Sequence, residues 1–232
     1  MKSLYALLFL VGILKANVVY SQQSQASAGI DLGSGFTSNS WAPSILYHEE
    51  LSIPKLPWLR IGLGIRGWGY YSERINLFTR KGTPKDFLEY RDVSANGVSF
   101  VLGANIRVWR IDLGVNTDLA GVSLGTKRHA YYDKRPEIPG TGAANYETWV
   151  ATRPVIFNAV PLLLNNYNGQ SEVYARIFFS RSIGLKVGYV YGQIAYLTKN
   201  SRDGRVFLDN SQRRVYNTYG MPYAALTIPL FN

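Results

Sequence analysis

Apolar and polar positions alternate with a period of two along most of this chain. From Trp58 to Tyr71, Leu59, Ile61, Leu63 and Ile65 fall on one face, and Arg60, Gly62, Gly64 and Arg66 on the other. Val98, Phe100, Leu102, Ala104 and Ile106 likewise oppose Ser99, Val101, Gly103 and Asn105. The same holds for Ile111, Leu113, Val115 and Thr117 against Asp112, Gly114, Asn116 and Asp118. Val173, Ala175, Ile177 and Phe179 oppose Tyr174, Arg176 and Phe178, and Leu185, Val187, Tyr189 and Tyr191 oppose Gly184, Lys186, Gly188 and Gly192. Near the start, Ile30, Leu32 and Phe36 oppose Asp31, Gly33 and Gly35. Ser44–Ile53 fits least well, because His48, Glu49 and Glu50 break its pattern, and Arg214–Leu230 has strand composition with blurred alternation. Period two is the mark of half-apolar strands. The chain is therefore expected to be all-β.

The face opposite the apolar one decides the architecture. In a soluble sandwich it meets water and usually carries Lys, Glu, Thr and Ser. Here it is mostly glycine with a few Arg, Lys and Asp. Glycine weakens a strand unless something approaches closely, and the narrow lumen of a small barrel supplies that reason. Connections alternate in length. Short ones are 53–57, 107–109 and 180–182; long ones are 72–94, 125–169 and 198–212, and these three hold 22 charged residues. The pattern predicts an antiparallel transmembrane β-barrel of eight strands with short periplasmic turns and long extracellular loops. Trp58 and Trp109 sit beside short turns, where an interfacial aromatic girdle belongs. An alternative of ten strands follows if Trp149–Leu164 crosses twice before the Asn168-Gly169 turn signal. Pro154 and Pro161 argue against it.

Composition refines this picture. Lys2 precedes an apolar run, Leu4 to Leu14, too short to span a bilayer, and Val19-Tyr20-Ser21 offers a cleavage site before Gln22. Residues 1–21 read as a cleaved signal peptide and 22–232 as the barrel. The net charge of +10 becomes +8 once Lys2 and Lys15 are removed. The absence of cysteine excludes disulfides, thiolate metal sites and a cysteine nucleophile. The charge is not gathered in a basic stripe, which argues against nucleic acid and favours attraction to anionic lipopolysaccharide head groups.

The sequence resembles the small outer-membrane β-barrel proteins of Gram-negative bacteria, particularly of the Bacteroidota. The likeness lies in the leader ending VYSQ, the IGLGIRGWG and SIGLKVGYVYG segments, and the aromatic C-terminal strand ending Pro229-Leu230-Phe231. Thr218, Gly220, Tyr223 and Ala225 partly match that family's C-terminal assembly signal, and Pro222, Pro229 and the final Asn232 depart from it. The resemblance implies an outer-membrane location and contact with the barrel assembly machinery.

Candidate chemistry is sparse. Gly62, Gly64 and Gly67 spell G-x-G-x-x-G, but inside a strand pattern with no helix to follow, so no nucleotide site is expected. Asp31, Arg60, Arg66, Asp112, Asp118, Arg176 and Lys186 all have the parity opposite their strand's apolar face. Charges at bilayer depth are costly unless paired or hydrated, so these should meet in the lumen. They form either a salt-bridged plug or a polar pathway, and the size of an eight-stranded barrel favours the plug. His129, with Ser123 and Asp133 nearby in sequence, is the one constellation for a barrel enzyme acting on outer-membrane lipid or protein; an exposed loop histidine is the commoner case. With two histidines, no metal or cofactor is expected. The function expected is that of a non-catalytic envelope barrel with a structural role, a surface-interaction role through the loops, or a place as a subunit of an envelope complex. A small pore or transporter, a barrel enzyme and a soluble exported β-sandwich are the alternatives.

Overall fold

A computed structural model describes residues 26–82, 85–134, 146–201, 204–208 and 212–231, so the expected leader at 1–21 lies outside the described residues. The described residues form antiparallel strands: β1 (Ala26–Phe36), β2 (Ser40–Ile53), β3 (Leu56–Gly82), β4 (Lys85–Val108), β5 (Ile111–Leu124), β6 (Arg128–Tyr132), β7 (Thr148–Pro154), β8 (Phe157–Ala159), β9 (Gly169–Phe178), β10 (Gly184–Thr198), β11 (Asn200–Ser201), β12 (Gly204–Arg205) and β13 (Arg214–Phe231). Eight of them close a ring in the order β1-β2-β3-β4-β5-β9-β10-β13, with β13 pairing back onto β1.

The ring is sheared. From Val108 the paired residues run through Ile111, Ile177, Leu185, Leu226, Leu32, Ile45 and Gly67, and return to β4 at Val98, ten residues from the start. A staggered eight-stranded ring tilts its strands by about 40° and leaves an interior just wide enough for side chains. The 54–55, 109–110 and 179–183 turns lie at one end of the ring, together with the β1–β13 pairing near Ala28 and Phe231. Trp109, at φ +56°, occupies one of these turns and is 83% exposed; Trp58 follows another on β3.

The opposite end is a second, narrower ring. Where β1 and β2 stop, β3 and β13 pair directly through Thr79–Val215 and Phe78–Tyr216. Where β5 and β9 stop, the β6–β7 hairpin fills the wall between β4 and β10. The residues around β8 patch the remaining gap, with the Ser123 N–H donating to Ile156 O and the Val155 N–H to Ala195 O. The wall thus continues as β3-β4-β6-β7-β10-β13. Its interior is apolar, with Leu77, Leu88, Tyr90, Ala130, Tyr132, Val150, Tyr196 and Val215 all buried.

Two expectations are corrected. Residues 72–94 are not a loop: they are the outer halves of β3 and β4, paired from Ser72–Val93 to Phe78–Phe87. Side-chain parity inverts along this hairpin, so that Trp68, Tyr70 and Ser72 but also Leu77 and Thr79 point inward, and Arg74 between them has φ +47°. A period-two scan reads such an inversion as the end of a strand. Ser44–Ile53 is likewise unbroken within β2: His48 and Glu50 take inward places and Glu49 an outward one. The Trp149–Leu164 stretch adds no strand to the eight-membered ring.

The glycines of the inner face seat aromatic rings. Gly97 pairs with Trp68, Gly114 with Tyr174 and Gly192 with Tyr219. A Cβ at each would come within 2.6 Å or less of its partner's ring, and at Gly192 within 2.2 Å of Tyr219 Cζ. Tyr219 in turn stacks on Tyr70 at 4.1 Å between centroids. Overpacking of this kind costs about 1–3 kcal/mol. Gly192→Val should therefore lower the urea midpoint of unfolding in detergent micelles, while Gly67→Ala, with its nearest side-chain neighbour at 3.1 Å, should shift it far less.

Candidate functional site

Inside the eight-stranded ring the side chains are charged. Arg176 on β9 reaches three carboxylates: Asp31 on β1 at 3.2 Å, Glu50 on β2 at 3.0 Å and Asp112 on β5 at 3.4 Å. Asp112 also takes a two-pronged contact from Arg107, at 2.5 and 2.6 Å. Lys186 on β10 bridges Asp31 at 3.1 Å and Glu172 at 2.6 Å. Glu172 passes the chain of contacts to Arg66 on β3 at 3.0 Å, and Arg66 meets Asp118 at 3.0 Å. His48 lies between Asp31 and Glu50, 3.7 and 3.1 Å away. All these groups come from inward positions of seven different strands, which only closure of the ring brings together.

Of the seven residues singled out by parity, all are buried in the interior, and six belong to this one network. Arg60 is the exception: its guanidinium donates to Ser27 Oγ at 3.1 Å and meets no carboxylate among the described residues. Sequence reasoning missed His48, Glu50, Arg107 and Glu172. The signal was present for the first two, since Ile45, Tyr47 and Leu51 already mark the outward face of β2. Glu172 lies at the end of the β9 pattern and Arg107 at the edge of a turn, where parity is least secure.

Counting Arg60 beside the network, the interior charges balance: Arg60, Arg66, Arg107, Arg176 and Lys186 stand against Asp31, Glu50, Asp112, Asp118 and Glu172, five cations against five anions. Tyr174 and Tyr223 lie under the cations, with Lys186 Nζ 4.3 and 5.5 Å from their ring centres. Asn116, Gln170 and Tyr219 complete the upper layer: Arg66 donates to Asn116 Oδ1, and Gln170 Nε2 donates to Tyr219 at 2.9 Å. The cavities among these side chains measure about 20 and 10 Å³, room for about one water each. Above the charged layers, the apolar core of the narrower ring fills the section.

The outer wall has the reverse character. Leu32, Ile45, Leu63, Phe100, Val115, Val173, Val187 and Leu226 are all exposed, Phe100 by 65%. On β10 the outward series runs from exposed Leu185 to half-buried Tyr191, about 15 Å of height in a strand tilted about 40°, and Gln193 and Ala195 continue its parity but are buried. An apolar groove of about 520 Å³ crosses this wall between β3 and β10, lined by Ile61, Leu102, Val115, Val173, Tyr189 and Leu162.

The other sequence candidates are not brought together. His129 is exposed on the outer face of β6, whereas Ser123 is buried and its hydroxyl donates to Val155 O. Gly62, Gly64 and Gly67 lie within β3, with no helix following them.

No protein-family model matches the chain, and no curated protein matches it. Among solved structures it is similar to the Ralstonia pickettii toluene transporter TbuX, at 8% identity over 83% of this chain and 69% of that one, with a TM-score of 0.27. A likeness of that size carries no argument about what this chain does.

Removing one partner from a buried charge cluster costs about 3–5 kcal/mol, because the remaining charges stay desolvated and unpaired. Arg176→Met takes a cation from three carboxylates, leaving Asp112 to Arg107, Asp31 to Lys186 and Glu50 to His48, and should lose stability in that range. Arg60→Met removes only a bond to Ser27 and should lose about 1–2 kcal/mol. Equilibrium urea unfolding in micelles, followed by tryptophan fluorescence, ranks the two.

Proposed function

We propose that the chain is an integral outer-membrane β-barrel that neither conducts nor catalyses, and that it serves the envelope as a structural or docking element through its outer wall and the lobe above it. One observation carries the reading: a closed ring of strands with exposed apolar side chains all around it and charges inside. In water such an outer surface far exceeds the apolar patch that soluble monomers tolerate. In hydrocarbon it is the expected outer face of a barrel, and closure leaves no backbone group unpaired. The filled lumen argues against a pore, since among the described residues the spaces between its charged side chains measure about 20 and 10 Å³.

In this reading the eight strands of the wide ring cross the membrane, the three short turns face the periplasm, and the six-stranded lobe stands outside the cell. Trp58 and Trp109 then lie at the inner interface, and the stacked pair Trp41–Tyr71, 5.0 Å apart, at the outer one. Export by a signal peptide at residues 1–21 and a barrel of the Bacteroidota type rest on the sequence resemblance. The partners are outer-membrane lipid with its lipopolysaccharide, the barrel assembly machinery, and an envelope protein reached through the lobe.

Cell fractionation tests the location. The protein should be found in the outer-membrane fraction and migrate faster unheated than boiled on a denaturing gel; recovery in the soluble periplasmic fraction would sink the proposal. Reconstituted in planar bilayers it should show no steady conductance, and reproducible single-channel steps would overturn the closed-lumen reading.

A further inference from the structure

Two surface cations pair with a carboxylate on or beside a neighbouring strand. Arg128 meets Asp92 at 2.5 Å, and Lys134 meets Asp86 at 2.8 Å. Near the outer end of β10 four cations instead gather in one row. Leu197, near the outer end of β10, pairs with Arg153 on β7 to one side and with Arg214 on β13 to the other, so the two guanidinium stems flank it on the outer face. Lys199 follows two residues later, its N–H bonded to Ala151 O. Lys127, just before β6, brings its ammonium against that of Lys199. None of Lys127, Arg153, Lys199 and Arg214 is in an ion pair with a carboxylate among the described residues. Arg153, Thr198, Lys199 and Arg213 enclose a cleft of about 190 Å³.

Like charges set side by side across strands destabilise a sheet. The crowding is felt by the groups themselves: contact with the Lys127 amine holds Lys199 below its ordinary lysine value. Lys127, Arg153, Lys199 and Arg214, gathered beside a defined cleft with no carboxylate partner among the described residues, are suited to an anion supplied from outside. Phosphate matches it best, because guanidinium groups bind its oxygens in paired fashion while lysines add point charge.

The surroundings identify the source of that phosphate. Beneath the row, Gln193 Nε2 pins the Val160–Leu164 turn to the wall by donating to Pro161 O. That turn holds Leu162, Leu163 and Leu164 outward, Leu163 by 79%. Leu162 borders the 520 Å³ apolar groove that continues down the wall. Cations above and an open apolar surface below fit a molecule with a phosphoryl head and acyl chains. We propose that the cleft at Arg153 and Lys199 is a binding site for the phosphoryl group of an anionic lipid in the outer leaflet, whose chains run down over Leu162–Leu164 into the groove. This rests on the membrane reading above.

The test uses the full-length protein purified in zwitterionic micelles, with its folded state confirmed by the gel shift. It is titrated with phosphatidic acid, with phosphatidylcholine of the same chains, and with inorganic phosphate. Phosphatidic acid should bind at least tenfold more tightly than either of the others. The Arg153→Gln/Lys199→Gln double variant should lose that preference, while Arg110→Gln/Arg181→Gln, which removes equal charge at the opposite end, should keep it. Equal binding of phosphatidic acid by wild type and the first double variant would overturn the site. Inorganic phosphate binding as tightly as the lipid would overturn the lipid as its source. Failure of the membrane reading shows separately, as recovery of the protein in the soluble fraction.

Discussion

A backbone can enter hydrocarbon only if it satisfies its own N–H and C=O groups, and here the ladder does so by closing on itself. The rest of the structure follows from that closure. A ring that returns to Val98 after leaving from Val108 must tilt its strands, and tilt with eight strands fixes a narrow bore. The bore explains the glycines, which leave room for Trp68, Tyr174 and Tyr219 to lie flat across neighbouring strands. It also explains the charges. Four cations and five anions drawn from seven of the eight strands meet only when those strands are in place, so the lumen network acts as a check on correct closure as well as a filling.

The chain changes its inside-outside rule along its own length. In the wide ring apolar side chains point out and charges point in. In the lobe the same strands place Leu77, Leu88 and Tyr196 inward, as an ordinary water-soluble core does. The switch occurs where the wall narrows from eight strands to six and where β3 inverts its side-chain parity beside Arg74. The same strands thus carry two opposite inside-outside patterns. The cationic row lies on the outer face above the apolar span of β10, at the boundary between those two regimes.

The wide ring was legible in the sequence because an apolar outer face and a packed bore inside impose strict alternation. Reading parity from Leu59 to Ile65, or from Val173 to Phe179, was enough to place Arg60 and Arg176 inward. The lobe was not legible, for the same physical reason. With water outside, its outer positions carry no apolar requirement, and the parity inversion near Arg74 disguises two long strands as a charged loop. Nor does a local pattern show that β3 pairs with β13 or β4 with β6, since those contacts join segments far apart in the chain. The composition of the lumen network was visible; its partners were not, and His48 and Glu50 were set aside because they look foreign to a strand until a cation across the bore gives them a reason to be there.

Four strands, β3, β4, β10 and β13, run without interruption from the wide ring into the lobe. No flexible joint separates the two along these strands. A pull applied to the lobe from outside is therefore loaded as shear along ladders of parallel hydrogen bonds, the geometry in which such bonds resist together and not one after another. The lobe also keeps a fixed height and heading relative to the ring, and so, in the proposed reading, to the membrane plane. Whatever docks on it meets a rigid post whose bearing is set by the stagger of the ring below.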